Sequence, residues 1–153
     1  MNKLDEIKVL AQELARQIKK NSEQILRDEL STDNLSILER SEYYRIRKLI
    51  EDADEIGREI EDLQRPRKEG KLVLRNDGRY AIKGLEDCYF TSGAYMELLI
   101  DNDPEYQYWL FGSVEYNHQS TAKLDIGYYF KKIMGSGSAI NLKEGMTVAI
   151  REF

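Results

Sequence analysis

The stretch GKLVLRNDGRYAI, Gly70 to Ile82, decides the fold. Leu72 and Leu74 alternate with Val73 and Arg75, then Asn76, Asp77 and Gly78 follow, and Tyr80 and Ile82 resume the alternation. Asn, Asp and Gly tolerate the positive φ of a tight reversal, so the pattern predicts a β-hairpin. Before this stretch the apolar spacing is helical, and after it the spacing is that of strands. The chain is therefore expected to divide at Gly70 into a helical region, 1–69, and a small β-domain, 70–153.

Working backwards, apolar residues recur at Leu4, Ile7, Ala11, Leu14, Ile18 and Ile25, with Asn21 in one seam position, which predicts a helix from about Leu4 to Leu30. Residues 31–34 offer side-chain acceptors for helix-start amides, and Ser36 followed by Glu39 is a capping-box pattern. A second seam runs through Ile46, Leu49, Ala53, Ile56, Ile60 and Leu63 and stops before Pro66, whose ring disfavours helix at Arg65. The short connection makes the two helices an antiparallel, coiled-coil-like hairpin. Two isolated helices have little chain to cover their stripes, so homodimerisation through Leu14, Ile18, Leu49, Ile56 and Ile60 is expected, with Asn21 as a register-setting residue.

Forwards from the hairpin, strand-like runs occur at 88–91, 95–100, 108–116, 126–130 and 147–151, separated by turn residues. About five to seven short antiparallel strands in 84 residues predict a small barrel or sandwich, the expectation being an all-β barrel of the Src-homology-3-like kind, and the whole chain an α+β fold. This region holds 13 of the 15 aromatic residues, too many for so small a core, so some tyrosines are expected outside. Trp109 is expected to close the core.

The chain has 153 residues, 33% of them charged, and a formal net charge of -5. The charge divides as 14 basic against 17 acidic residues over 1–69 and 9 against 11 over 70–153. A phosphate backbone would meet no strong attraction from the whole protein. Cys88 is the single cysteine, which excludes an internal disulfide and a cysteine-cluster zinc site, and a buried structural thiol is expected there. No run approaches the roughly 18 apolar residues of a membrane span, and the charged start MNKLDEIKVLAQEL has no apolar signal core. A cytoplasmic protein that makes no membrane contact is expected.

The residues with chemical potential do not assemble into a motif. Asp101, Asp103 and Glu105 have alternate acidic spacing, but Pro104 breaks the calcium-loop pattern, leaving a solvated turn. GlySerGlySer at 135–138 precedes AlaIleAsnLeu, which has strand character, so it does not open a phosphate-binding helix. His118, the single histidine, sits in the polar loop 117–125 with no nucleophile beside it. No cofactor, metal or enzymatic activity is expected. The basic runs 45–48 and 65–68 are the nucleic-acid candidates through Arg45, Arg47, Arg65 and Arg67, but acidic residues follow the first and the second reads as a solvated linker.

GKLVLRNDGRYAI, YFTSGAYMELLI, Trp109 with the downstream GYYF, and LKEGMTVAIR together resemble an uncharacterised small β-domain family encoded by Gram-positive bacteria and their phages, plasmids and conjugative elements. The chain departs from that pattern by AspAsnAspProGluTyr before the Trp strand and by a long AsnHisGlnSerThrAlaLys loop after it. The resemblance implies a β-domain and a mobile-element context and supplies no catalytic residues. The combined reading is a non-enzymatic protein-binding module, in its narrowest form an inhibitor of a host defence protein. Both insertions flank the WLFGSVEY strand, which makes Tyr106, Tyr108, Tyr116 and His118 the expected contacts. The alternative is a nucleic-acid accessory factor that stacks bases on its aromatics.

Overall fold

The computed structural model describes residues 2–23, 32–133 and 139–151. They form two compact units, Met1–Arg65 and Pro66–Phe153.

In the first unit, α1 (Lys3–Asn21) and α2 (Ile37–Gln64) run antiparallel. The Asn2 side chain accepts from the Asp5 amide at 2.9 Å and caps α1. At the start of α2, Ser36 Oγ accepts from the Glu39 amide at 3.2 Å while Glu39 Oε2 accepts from the Ser36 amide at 2.8 Å, which is the capping box its spacing predicts. The second helix stops at Gln64, where Arg65 turns extended ahead of Pro66. The first described helix ends at Asn21, short of Leu30. The Asn21 side-chain Nδ2 donates back to the Gln17 carbonyl at 2.8 Å, so it closes a helix end rather than setting register in mid-helix. Ile25 and the remainder of that expected helix lie outside the described residues.

The helices approach closely because their contact residues are small. A Cβ added at Gly57 would lie 3.1 Å from the Ala15 Cβ. Lys19 pairs with Asp54 at 3.2 Å, and Gln64 donates to Gln12 at 3.2 Å. The buried residues of the pair are Ala15, Tyr43 and Ile50. Most of the large aliphatic residues of the apolar spacing stay in solvent.

The second unit is a seven-stranded antiparallel sheet: β1 (Arg67–Leu74), β2 (Tyr80–Ile82), β3 (Tyr95–Ile100), β4 (Tyr108–Asn117), β5 (Gly127–Lys132), β6 (Ile140–Asn141) and β7 (Thr147–Arg151). Their order is β2-β1-β7-β3-β4-β5-β6. The expected turn is present: Arg75 N–H donates to the Arg79 carbonyl at 2.8 Å, Asp77 Oδ1 accepts from the Arg79 amide at 3.1 Å, and Gly78 takes φ 80°. Strand β1 changes partner along its length. Arg67 to Lys71 pair with Arg151 to Thr147, whereas Leu72 to Leu74 pair with Ile82 to Tyr80. Gly70 lies just before this switch, opposite Val148, and a Cβ there would come 2.3 Å from Ile82 Cγ2.

One apolar cluster fills the sheet's inner face, built on Leu72, Ile82, Met96, Leu98, Val114 and Phe130. Phe130 is fully buried against the backbone at Gly112. Tyr80 Oη donates to the Leu142 carbonyl at 2.8 Å, linking β2 to the segment just after β6.

Several expectations are corrected here. The sheet is open and not a closed barrel: the outer strands of the order have three and two residues, and no ladder joins them among the described residues. Residues 88–91 are not a strand; a single bridge joins Tyr89 to Ala81, and Phe90 plugs the core. Ile140–Asn141 is the missing strand. Arg67 and Lys68 are strand residues rather than linker, so a cut at Gly70 passes through β1. Cys88 is exposed, not buried. Trp109 is only half-buried and lies outside the core cluster, whose centre Phe130 takes instead.

Candidate interaction surfaces

Alternation along β3 and β4 sends Met96, Leu98 and Val114 to the core and leaves Tyr95, Glu97, Trp109, Phe111 and Ser113 on the opposite face. The register sets Glu97 beside Phe111 on one side and beside Ala149 on the other. Arg67 enters this face from β1. Its Nε donates to Glu97 Oε2 at 2.8 Å, it pairs also with Glu69, and its guanidinium carbon stands 4.1 Å from the centre of the Trp109 ring. Arg151 completes the group at 3.7 Å from Glu97. Burial opposes the charge of Arg67, but its bonds to Glu97 and Glu69 outweigh that and hold its pKa above the ordinary value. The ion pairs thus hold the Arg67 guanidinium over the indole ring.

Next to this group, Tyr95 and Phe111 stack with ring centres 5.6 Å apart, 64% and 46% exposed. A shallow recess of about 340 Å³ adjoins them, lined by Tyr95, Ser113, Glu115, Lys131 and Lys132 among others. Glu115 accepts from Ser92 Oγ at 2.9 Å and Ser113 Oγ at 3.0 Å, so both hydroxyls are engaged in holding a carboxylate.

The four expected contact residues do not converge. Tyr106 and Tyr108 are exposed at the start of β4, whereas Tyr116 and His118 lie at its far end. Eight residues of strand separate Tyr108 from Tyr116, roughly 26 Å. Tyr116 packs edge-on against His118 at 4.7 Å and Tyr128 at 4.9 Å. The loop 117–125 is tied down: Asn117 Nδ2 donates to the Gln119 and Asp125 carbonyls at 2.7 and 2.8 Å, and Asn141 Oδ1 accepts from the Asp125 amide at 3.0 Å. The acidic turn is an ordinary Asx arrangement, with Asp103 Oδ1 accepting from the Glu105 amide at 2.9 Å. Among the described residues no three His, Cys, Asp or Glu side chains converge as a metal site.

The basic runs are largely neutralised within the chain. Arg47 pairs with Glu51 at 3.1 Å, Arg65 with Asp62 at 3.3 Å, and Arg67 is committed to Glu97 and Glu69, leaving Arg45 exposed on α2. Tyr95, Phe111 and Glu97 are the surface residues that sequence reasoning missed. Their alternation with Met96, Leu98 and Val114 was the available signal.

The helical unit carries a second surface. At about 100° per residue, Ile7 and Leu14 lie about 80–100° round α1 from Ala15, and Leu49 and Ile56 lie equally far round α2 from Gly57, in the same rotational sense. In an antiparallel pair the same sense means the same side of the hairpin. These residues, with Leu10 and Leu63, are 46–69% exposed. Lys19, Asp54 and Gln12 occupy the other side.

The chain belongs to the family described as a domain of unknown function, DUF5348, whose model matches residues 70–150. That span covers more than half of the chain and runs from within β1 to the penultimate residue of β7. No curated protein and no solved structure matches the chain significantly. The family membership agrees with the resemblance to an uncharacterised small β-domain. No helix among the described residues is long and apolar enough to cross a membrane.

Proposed function

We propose that the protein is a non-enzymatic protein-binding module that works as a homodimer, its helices holding two copies together while the sheet presents an aromatic face to a partner protein. The exposed Tyr95–Phe111 stack beside the Arg67–Trp109 pair carries this reading. Stacked aromatics on a rigid sheet offer contact area at small entropic cost, and tryptophan, tyrosine and arginine are the residues enriched among interface hot spots. Tyr108 shares the parity of Leu110 and Val114 and so lies on the other side of the sheet, and Tyr116 and His118 do not belong to this surface; Tyr106 is exposed just ahead of β4. The narrower reading, an inhibitor of a host defence protein carried by a phage or mobile element, suits the size of the chain and the mobile-element context that the family resemblance implies.

Affinity capture from source cells tests the proposal. Wild-type protein should retain a polypeptide partner through nuclease treatment, and Tyr95→Ala with Phe111→Ala should weaken retention at least about tenfold, the size expected when interface aromatics are truncated. Retention lost to nuclease, falling steeply with salt and with Arg45, Arg47, Arg65 and Arg67 changed to Ala, would instead establish the nucleic-acid accessory reading.

A further inference from the structure

The unit containing the helices shows an apolar face and a polar face, and the polar one is complete within the chain. Lys19–Asp54 at 3.2 Å and Gln64–Gln12 at 3.2 Å cross between the helices, and Arg58–Asp54 at 3.5 Å and Arg47–Glu51 at 3.1 Å line α2 beside them. The opposite face presents Ile7, Leu10 and Leu14 of α1 and Leu49, Ile56 and Leu63 of α2, with Asp52 and Glu59 along its outer edge. At the roughly 60–120 Å² that one aliphatic side chain can remove from water, six of them make a patch of several hundred Å². A solitary soluble protein rarely leaves so much contiguous apolar surface in water.

Resting on the reading of the helices as an assembly device, we infer that the occupant of this face is a second copy of the chain, stacked so that α1 of each copy lies along α2 of the other in an antiparallel four-helix bundle. Heights along the hairpin select this arrangement. Ala15 is level with Gly57, so Leu14 stands near the height of Ile56, and Leu10 and Ile7 near that of Leu63. A two-fold axis parallel to the helices preserves height. It sets Leu14 of one copy on Ile56 of the other and the Ile7–Leu10 pair on Leu63, apolar on apolar at both levels. The six aliphatic side chains offer a charged partner nothing to pair with, whereas a second copy matches them in both chemistry and height. The side bearing Lys19 and Asp54 faces solvent.

The test uses the full chain. Light scattering should give twice 17.9 kDa for wild type at high micromolar concentration. Leu14→Gln with Ile56→Gln should raise the dimer dissociation constant at least about tenfold with unchanged helical circular dichroism, because polar groups enter a desolvated seam. Lys19→Gln with Asp54→Asn should leave the dimer intact. A second measurement does not depend on those variants: with the exposed Cys88 changed to Ser, Leu14→Cys chains mixed with Ile56→Cys chains should form a disulfide-linked dimer on oxidation, and neither chain alone should.

A dimer that survives the first variant pair, or is lost with the second, overturns the face assignment while leaving self-association standing. Cross-linking of Ile56→Cys chains alone, without cross-linking in the mixture, overturns the pairing of α1 with α2. A wild-type monomer overturns the inference and the homodimer together. The partner-binding reading of the sheet is judged separately by capture.

Discussion

Gly70→Ala probes β1 just before it changes partners. The added Cβ would sit 2.3 Å from Cγ2 of Ile82, which is 2% exposed and paired through β1 to the core. Overpacking of this kind costs about 1–3 kcal/mol, and removing a glycine from the unfolded chain returns about 0.4–1 kcal/mol. The net expectation is a loss of about 1–2 kcal/mol. For a unit of this size each kcal/mol moves Tm by about 4–8 °C, so the transition should fall by roughly 5–15 °C. Ile82→Ala alone should cost about 2–5 kcal/mol through the cavity it leaves. In the double variant the obstructing methyl is gone, so Gly70→Ala becomes neutral or stabilising, and the two changes couple favourably by about 1–3 kcal/mol. Trp109, the single tryptophan, reports urea unfolding of the sheet unit without interference from the helices. Additivity within about 0.5 kcal/mol would refute the account of Gly70.

Other expected outcomes follow from single contacts. Ser36→Ala should destabilise α2 by about 0.5–2 kcal/mol, read by helical circular dichroism on heating, because the capping box loses its acceptor; no change would show that the cap is redundant. Burial first, and the Glu144 charge second, push the Tyr80 phenol above its ordinary pKa. A group whose folded pKa is raised contributes stability that is intact below its unfolded value and lost as pH climbs through the folded one. Stability should therefore fall above about pH 10, and Tyr80→Phe should remove this component while costing about 0.5–1.5 kcal/mol for the bond to Leu142; an unchanged alkaline limb would exclude Tyr80 as its source. Asn117→Ala should speed amide exchange across 117–125, since one side chain anchors both ends of that loop; unchanged protection there would show that Asn141 suffices. A fragment beginning at Pro66 should give a dispersed amide spectrum and one beginning at Gly70 a poorer one, because Arg67, Lys68 and Glu69 pair with β7; equal spectra would make those pairs dispensable.

Local signals were legible in the sequence and non-local ones were not. The Asn76–Gly78 turn, the Ser36 cap and the stop before Pro66 rest on residues three or four apart, and each appears as expected. Barrel closure depends on strand order and on how long the edge strands become. Nothing in the run Tyr80–Ile82 or in Ile140–Asn141 announces that these are edges. Cys88–Thr91 looked like a strand because Tyr89 and Phe90 are aromatic, yet Phe90 acts as one plug in the core. Trp109 illustrates the same limit: alternation gives its parity, but which parity faces inward is decided by β3 and β5. The helical stripes were readable as well. Their division between hairpin contact and solvent was not, because Ala15 and Gly57, two inconspicuous residues, set where the helices touch.

The proposal that the outer sheet face binds a protein is tested most directly by a photo-activated cross-linking residue placed at Phe111 and illuminated in source cells. The account predicts a covalent adduct that protease digests and nuclease leaves intact, formed at Phe111 and at Tyr95, and not at His118 at the other end of β4. Adducts at His118 alone, or adducts destroyed by nuclease, would contradict it.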